Sequence, residues 1–156
     1  MRIFVDGCCN KTLGTRASIT NDDCDDLVEE YWDFLSEYDF IHWFPKKKYR
    51  NLTTLKVDFD DGVSNQNNGA EMIAAIIGLM IAIEFGYKEV YSDSTLVVNH
   101  WSRKKSPNLN SKRKKIMQRY LMKLTLIFEK NGGSLKWISG DTNPADLGFH
   151  VIKKRK

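Results

Sequence analysis

The sequence has few cysteines and no long hydrophobic run. The three cysteines are an odd number without CxxC spacing, which argues against a disulfide framework and against a structural zinc site. The longest apolar stretch, Met72 to Phe85, is shorter than the roughly 20 residues of a membrane span and carries Glu84. No basic-then-apolar leader precedes the first strand-like residues. These absences predict an intracellular protein, in the cytoplasm or nucleus, without a membrane partner.

Positive and negative charges are segregated along the chain, although the net charge is only +4. Residues 22–39 contain nine acidic residues and no lysine or arginine, whereas residues 103–123 contain nine basic residues and no acid. A local basic patch can meet phosphates whatever acid lies elsewhere. Two interpretations stay open for the basic segment: a solvated helix face, or a nucleic-acid contact with Trp101 beside it.

The apolar pattern predicts one mixed α/β domain over residues 1–156. Strands are expected at 2–5, 16–20, 55–59, 89–92 and 135–139, and helices at 24–44, 70–85, 94–101, 115–130 and after Pro144. The helix at 70–85 is apolar nearly all round, as expected against a sheet, and Gly86 supplies its stop. In the helix at 115–130 one apolar face is expected to comprise Ile116, Tyr120, Leu124 and Phe128.

Four acidic residues fall where predicted strands end or predicted helices begin. Asp6 and Asp93 follow strands, and Glu71 and Asp146 fall in the first turns of helices. Ligand chemistry in open α/β sheets collects at such edges, and the helix dipole keeps a carboxylate there ionised. Converging carboxylates repel one another, and a pair of Mg²⁺ ions relieves this repulsion while activating water at a scissile phosphate. The four acids therefore predict a two-metal site.

Three of these acids also have a structural explanation when each is taken singly. Residues 68–71 (NGAE) and 143–146 (NPAD) have the form of a capping box, and Asp93 could cap the helix that follows it. Asp6 ends a buried strand and has no such explanation. Four acids at four element ends in one domain favour the metal site over four separate caps.

Four motifs occur in order along the chain: IFVDG, NNGAEMIAAIIGLMIAIEFG, VYSDSTLVVNHW and WISGDTNPAD. In order and spacing they resemble the type 1 ribonuclease H family, with a short NPAD-type final loop like the retroelement-derived or viral versions. The resemblance covers almost the whole chain apart from an acidic and aromatic insertion at about residues 20–52. It implies an α/β fold with a mixed five-stranded sheet flanked by helices, in one domain that ends in a basic tail at 153–156.

The resemblance also implies an activity and its residues. The activity is endonucleolytic hydrolysis of the RNA strand of RNA–DNA hybrids, with two Mg²⁺ ions, or Mn²⁺ as substitute. The implied metal ligands are Asp6, Glu71, Asp93 and Asp146. The implied substrate contacts are Gly7, Cys8, Asn68, Ser94, Trp101, Lys104, Lys105, Lys112, Arg113 and Lys114. Recognition by groove shape and 2′-hydroxyls gives hybrid specificity without sequence specificity.

The chain departs from the family pattern before its last aspartate. The loop histidine of bacterial-type relatives is absent, and the loop is shortened to Asp141-Thr-Asn-Pro-Ala before Asp146. Asp141, Asn143 and His150 are candidate auxiliary residues, although a plain turn residue is the simpler interpretation of Asp141. Residues 24–44 either cover the sheet or form a contact with a protein partner or second copy.

Two other classes of function compete with the hybrid nuclease. One is another nuclease or resolvase built on the ribonuclease H superfold, which would also assemble acids on such a sheet. The other is a catalytically weak hybrid-binding module, which would need only the basic surface. Retention of all four acids favours an active nuclease.

Overall fold

A computed structural model of the chain describes residues 2–10, 14–21, 41–48, 52–57, 67–103 and 112–145. Its strands are β1 (Arg2–Asn10), β2 (Gly14–Asn21), β3 (Ile41–Lys48), β4 (Leu52–Val57), β5 (Glu89–Ser92) and β6 (Ser134–Trp137). Its helices are α1 (Asn67–Phe85) and α2 (Lys112–Lys130), with a π-helical turn at Val97–Trp101 and a 3₁₀ turn at Gly140–Thr142.

The strands form one mixed sheet in the order β3-β4-β2-β1-β5-β6. The pairs β1–β2, β2–β4 and β3–β4 are antiparallel, whereas β1–β5 and β5–β6 are parallel. The predicted mixed α/β sheet with flanking helices is confirmed, with six strands among the described residues where five were expected. Strand β1 lies between its antiparallel and its parallel neighbour, so its carboxyl end lies in the middle of the sheet.

The additional strand is β3, and it overlaps the helix predicted at 24–44. Residues 41–44 belong to this strand, so that part of the helix prediction is wrong. The apolar spacing that favoured a helix ends at Tyr38, and Ile41-His-Trp-Phe has the branched and aromatic composition of a strand. Residues 24–40 lie outside the described part of the chain.

The main core fills one face of the sheet beneath α1 and α2. Ile3, Val5, Val90 and Leu135 point to this face, and all the α1 side chains from Met72 to Ala82 are buried or are packed within it. The prediction of a helix buried nearly all round is confirmed. Gly86, at φ +80°, ends the α1 segment as predicted, because this left-handed conformation carries no steric cost in glycine.

The face predicted for α2 is only half correct. Leu124 and Phe128 are buried in the core, but Ile116 is 57% exposed and Tyr120 37% exposed. A smaller cluster on the opposite face of the sheet joins Phe4 and Ala145, with Tyr91 and Ile138 packed against them. Nowhere in the described ranges does a helix combine the length and apolarity that crossing a membrane requires.

Candidate metal centre

Asp6 and Asp93 are brought together by the register of two parallel strands. Val5 of β1 lies opposite Ser92 of β5, so each aspartate is the next residue of its chain at the same edge of the sheet. This edge is the carboxyl end of β5, where ligand sites of α/β sheets collect. Strand β1 continues past Asp6 to Asn10, so the prediction that Asp6 ends its strand is wrong. Asp6 is only 1% exposed, and Asp93 is half-buried.

Glu71 joins the two aspartates from α1. The backbone N–H of Gly7 donates a hydrogen bond of 2.5 Å to Glu71 Oε1, which links β1 directly to the helix. A Cβ at position 7 would overlap the backbone carbonyl of Ala70, so only glycine allows this close approach. Glu71 is the fifth residue of α1, and the prediction that it lies in the first turn is wrong. Its contacts are tertiary and do not cap its own helix.

The three carboxylates form one cluster. Each of Asp6, Glu71 and Asp93 offers an oxygen, and these atoms all lie within 4.8 Å of one another. Burial raises the pKa of Glu71 well above its ordinary value. A side-chain hydrogen bond with Asp93 and the like charges of both aspartates act in the same direction, while the Gly7 N–H opposes them. The cluster therefore holds closely spaced negative charge at an energetic cost.

The donor set of this cluster fits a divalent metal ion. Carboxylate oxygens are the ligands that Mg²⁺ and Mn²⁺ prefer. The Oδ2 atom of Asp93 is buried and has no hydrogen-bond partner within the described residues, although buried carboxylate oxygens are normally satisfied. A cation would both satisfy this oxygen and relieve the repulsion that raises the pKa of Glu71. Asp6, Glu71 and Asp93 could thus hold a metal.

The chain returns to this cluster after β6. Ile138 N–H donates to Ser92 O at 3.0 Å, and the backbone at Gly140 lies beside the Asp93 carboxylate, since a Cβ there would be 3.3 Å from Oδ2. Asn143, which is buried, then donates from Nδ2 to Val5 O at 2.9 Å and accepts from the Ala145 N–H at 3.0 Å. The hydrogen bonds of Ile138 and Asn143 therefore fix the segment after β6 beside the cluster.

Ser18 of β2 completes this attachment. Its buried hydroxyl donates to the Ala145 carbonyl, the last carbonyl before position 146. Asp146 and His150 themselves lie outside the described residues. The backbone that leads into Asp146 therefore lies next to β1 and β2. Its contact on β1 is Val5, the residue before Asp6.

The helical segment after Asp93 is capped by a serine and not by Asp93 itself. Ser94 Oγ accepts the Val97 N–H at 3.2 Å, and Ser92 Oγ accepts the Ser94 N–H at 3.1 Å. Ser94 therefore supplies the side-chain cap of this helical segment, Ser92 forms the turn before it, and the Asp93 carboxylate lies with the other acids. For Asn143, the bond to the Ala145 N–H is the turn contact that the capping motif predicts.

The structure describes the side chains of only a few of the residues implied as substrate contacts. Trp101 is 6% exposed within the main core, a position that does not suit a contact with nucleic acid. Gly7 is buried with its N–H donated to Glu71, and Asp141 is exposed on the 3₁₀ turn outside the carboxylate cluster. Cys8, Asn68, Lys112, Arg113 and Lys114 lie in described strands or helices, but their side chains are outside the described set, as are Lys104 and Lys105 altogether.

Two residues near the cluster were missed by reasoning from sequence. Ser18 looked like an ordinary strand residue, and no local pattern predicts that its hydroxyl meets Ala145. Trp137, at the end of β6, is 50% exposed and donates its indole N–H to the Asp93 backbone carbonyl at 3.1 Å. It stands at the start of the WISG sequence, within the strand predicted at 135–139.

No sequence-family model and no curated protein matches this chain. Among solved structures, the N-terminal RNase H domain of Rv2228c from Mycobacterium tuberculosis, solved as a fusion with maltose-binding protein, is similar with a TM-score of 0.48 and 14% identity over 99% of both chains. The trimeric exonuclease PhoExo I from Pyrococcus horikoshii OT3 is similar with a TM-score of 0.44 and 13% identity, over 98% of this chain and 66% of that one. Likenesses this low establish neither a family nor an activity.

Proposed function

We propose that the protein is a metal-dependent nuclease that hydrolyses the RNA strand of RNA–DNA hybrids at internal positions. The observation that carries this proposal is the convergence of Asp6, Glu71 and Asp93 within 4.8 Å beside the carboxyl end of β5. The sequence resemblance to type 1 ribonucleases H named these three acids as metal ligands. They come from three separate elements, so their meeting is a property of the fold and not of one motif.

The proposed metal ligands are these three carboxylates and Asp146. The side chains of Asn143 and Ser18 donate hydrogen bonds to the backbone carbonyls of Val5 and Ala145, which hold the chain beside the cluster one residue before Asp146 and support its inclusion. Two bound Mg²⁺ ions, or Mn²⁺ in their place, supply the activation of a water and the stabilisation of charge on the phosphate. A cluster with a raised pKa at Glu71 suits this chemistry, because the ions compensate the repulsion.

Residues of the chain itself orient the ligands. The Gly7 N–H holds the Oε1 atom of Glu71, whose carboxylate lies in the cluster with the two aspartates. Asp93 is held by the strand register of β5 and by the bond from the Trp137 indole to its backbone carbonyl. Ligands fixed in this way lose little further freedom when an ion and a phosphate arrive.

A basic helix provides the proposed contact with the nucleic acid. Lys115, Arg119 and Lys123 of α2 are exposed, and Lys112, Arg113 and Lys114 form its first turn. Such a row of cations attracts a phosphate backbone without reading bases. The proposed partner is therefore an RNA–DNA hybrid bound by shape and charge, with the RNA strand told from DNA by its 2′-hydroxyls.

The deciding experiment compares an end-labelled RNA–DNA hybrid with duplex DNA and duplex RNA, with and without Mg²⁺ or Mn²⁺. We expect metal-dependent internal cuts in the RNA strand of the hybrid alone. Asp93→Asn should abolish them, because a ligand charge is lost at the cluster. Glu84→Gln, which neutralises an exposed acid at the far end of α1, is the matched control and should cut at the wild-type rate.

Other outcomes would assign the protein to one of the competing classes. Comparable cutting of duplex DNA would indicate a different nuclease or a resolvase on this type of fold. Hybrid binding without any cutting under either metal would indicate a binding module. Both results would overturn the proposed activity.

A further inference from the structure

Trp137 exposes a large apolar surface next to the carboxylate cluster. It is 50% exposed, whereas Trp101 is 6% exposed and packs in the core. Covering the large apolar ring of a tryptophan releases more free energy than covering a smaller side chain. Exposed indoles whose N–H is hydrogen-bonded are characteristic of binding surfaces. The half-exposed ring of Trp137 is therefore available to a ligand.

The indole is attached to the cluster through Asp93. Trp137 lies opposite Ser92 in the parallel β5–β6 register, and its Nε1–H donates to the Asp93 backbone carbonyl at 3.1 Å. The bond orients the ring beside the residue whose carboxylate belongs to the cluster. A ring oriented in advance loses less conformational entropy on binding than a freely rotating one.

The ring of Trp137 is the group that this surface offers to a ligand. Lys136, the preceding residue, is exposed on the opposite face of β6 and is paired with Glu89 at 3.0 Å, so the surface at Trp137 presents the aromatic ring and not this cation. Aromatic rings stack on any nucleobase, since every base has a flat π-face. This form of contact suits an enzyme that does not read sequence.

We propose that the Trp137 indole is a substrate-binding element that stacks on a nucleobase of the bound hybrid next to the cleaved phosphodiester. The proposal rests on the proposed nuclease function and adds a base-stacking position to the site. It differs from a purely structural role, in which the indole N–H would only support the Asp93 backbone. Phenylalanine at this position would keep a stacking ring and lose the N–H, so the two roles are separable.

The test measures hybrid binding by fluorescence anisotropy in EDTA, where no cutting occurs, for the wild type, Trp137→Ala and Trp137→Phe. We expect alanine to weaken binding about tenfold and phenylalanine to retain most of the affinity. Glu84→Ala is the control, because it truncates an exposed side chain at the far end of α1, away from the carboxylate cluster and from the basic helix. A second series places a single abasic nucleotide at successive positions of the hybrid. One position near the cut should weaken wild-type binding about tenfold and have no effect on Trp137→Ala.

Three results would overturn the stacking proposal. They are an affinity of Trp137→Ala equal to that of the wild type, an equal weakening of binding by both substitutions, and an abasic profile of Trp137→Ala that matches that of the wild type. A wild-type protein that cuts hybrids but shows any of these results keeps its proposed function and loses only the stacking position. A wild type that neither binds nor cuts hybrids overturns the proposed function and the stacking position together.

Discussion

The side-chain amide of Asn143 donates a 2.9 Å hydrogen bond to the backbone carbonyl of Val5, the residue before Asp6. Asn143 also accepts the Ala145 N–H, so one buried side chain links the segment that leads into Asp146 to the strand that carries the first aspartate. This link holds across 138 positions of sequence. It makes Asn143 a positioning residue for the proposed site, although it is not one of the ligands.

Asn143→Ala should therefore lower both stability and activity. The loss of two buried hydrogen bonds costs about 1 kcal/mol each, and we expect a melting temperature lower by roughly 4–8 °C. Cleavage should fall more than tenfold at temperatures where the variant is folded, because the backbone before Asp146 is no longer fixed.

Thr142→Ala is the control for this prediction. Its hydroxyl donates to Ser139 O on the exposed side of the same turn, so its removal should leave cleavage near the wild-type rate. Asn143→Asp keeps the acceptor for the Ala145 N–H and loses the donor to Val5, and it should fall between wild type and alanine in stability. Full activity in folded Asn143→Ala would refute the positioning role.

Glu71→Gln should stabilise the metal-free protein while removing its activity. Glutamine keeps an oxygen for the Gly7 N–H but carries no charge against Asp6 and Asp93. We expect the melting temperature at pH 8 in EDTA to rise by several degrees, since a buried, repelled charge is removed. Glu84→Gln, on the exposed end of the same helix, should change neither quantity. A lower melting temperature for Glu71→Gln would show that the carboxylate is not under strain.

The raised pKa of Glu71 fixes how stability depends on pH. Below the ordinary value of 4.5, Glu71 is protonated in both the folded and the unfolded chain, so its ionisation does not lower the free energy of unfolding. As pH rises from there through the raised folded pKa, the unfolded chain loses its proton first, so the metal-free protein loses stability. Thermal unfolding in EDTA from pH 4.5 upward should show that the wild type loses stability relative to Glu71→Gln. A constant difference between the two would contradict the shift.

Mg²⁺ should reverse this pH dependence. An ion binds the ionised carboxylates, so its binding releases protons and its stabilising effect grows as pH rises. The increase in melting temperature on adding millimolar Mg²⁺ should be larger at pH 8 than at pH 5.5, and it should be absent in Asp93→Asn. Isothermal titration calorimetry in two buffers of different ionisation enthalpy would measure the proton release directly. Equal stabilisation at both pH values would argue against binding at this cluster.

The sequence predicts that Asp93 follows the end of a short apolar strand, and the parallel register places Asp6 beside it, but β1 continues past Asp6 to Asn10 where a strand end was predicted. It also predicts the buried α1, whose apolar residues leave no polar face. It does not predict which element caps the helix after Asp93, since three polar residues in a row compete and the serines form the bonds. Competition of this kind depends on backbone geometry that composition does not record.

Burial of individual aromatic residues was the least predictable feature. Trp101 adjoins the basic segment in sequence and yet lies in the core, whereas Trp137 ends a strand and is half exposed. Likewise Ile116 and Tyr120 share the α2 periodicity with buried Leu124 but lie outside the core. Exposure at these positions depends on what packs beside them from distant parts of the chain, and that information is non-local.

Gly7→Ala should separate β1 from α1 at the site. The new Cβ would overlap the Ala70 carbonyl, so the helix or the strand must shift, at a cost of about 1–3 kcal/mol. We expect a lower melting temperature together with a loss of Mg²⁺-dependent stabilisation, because Glu71 moves with the helix.

Gly86→Ala is the control, since its Cβ would meet nothing within 4 Å and its cost is backbone strain alone. It should lower stability and leave the Mg²⁺ effect intact. An unchanged Mg²⁺ effect in Gly7→Ala would refute the role of this close approach.

The basic first turn of α2 should govern the salt dependence of hybrid binding. Replacing Lys112, Arg113 and Lys114 with glutamine removes up to three phosphate contacts, each of which contributes about 0.7–0.9 to the slope of log affinity against log salt concentration. We expect the slope to fall by about 2, with Mg²⁺-dependent stabilisation unchanged because the carboxylate cluster is untouched.

Lys130→Gln neutralises an exposed cation at the other end of the same helix and should leave the slope nearly unchanged. Neutralising Lys104 and Lys105 should add to the effect of the triple variant. A wild-type slope in the triple variant would assign these three cations to a solvated face and move the nucleic-acid contact elsewhere.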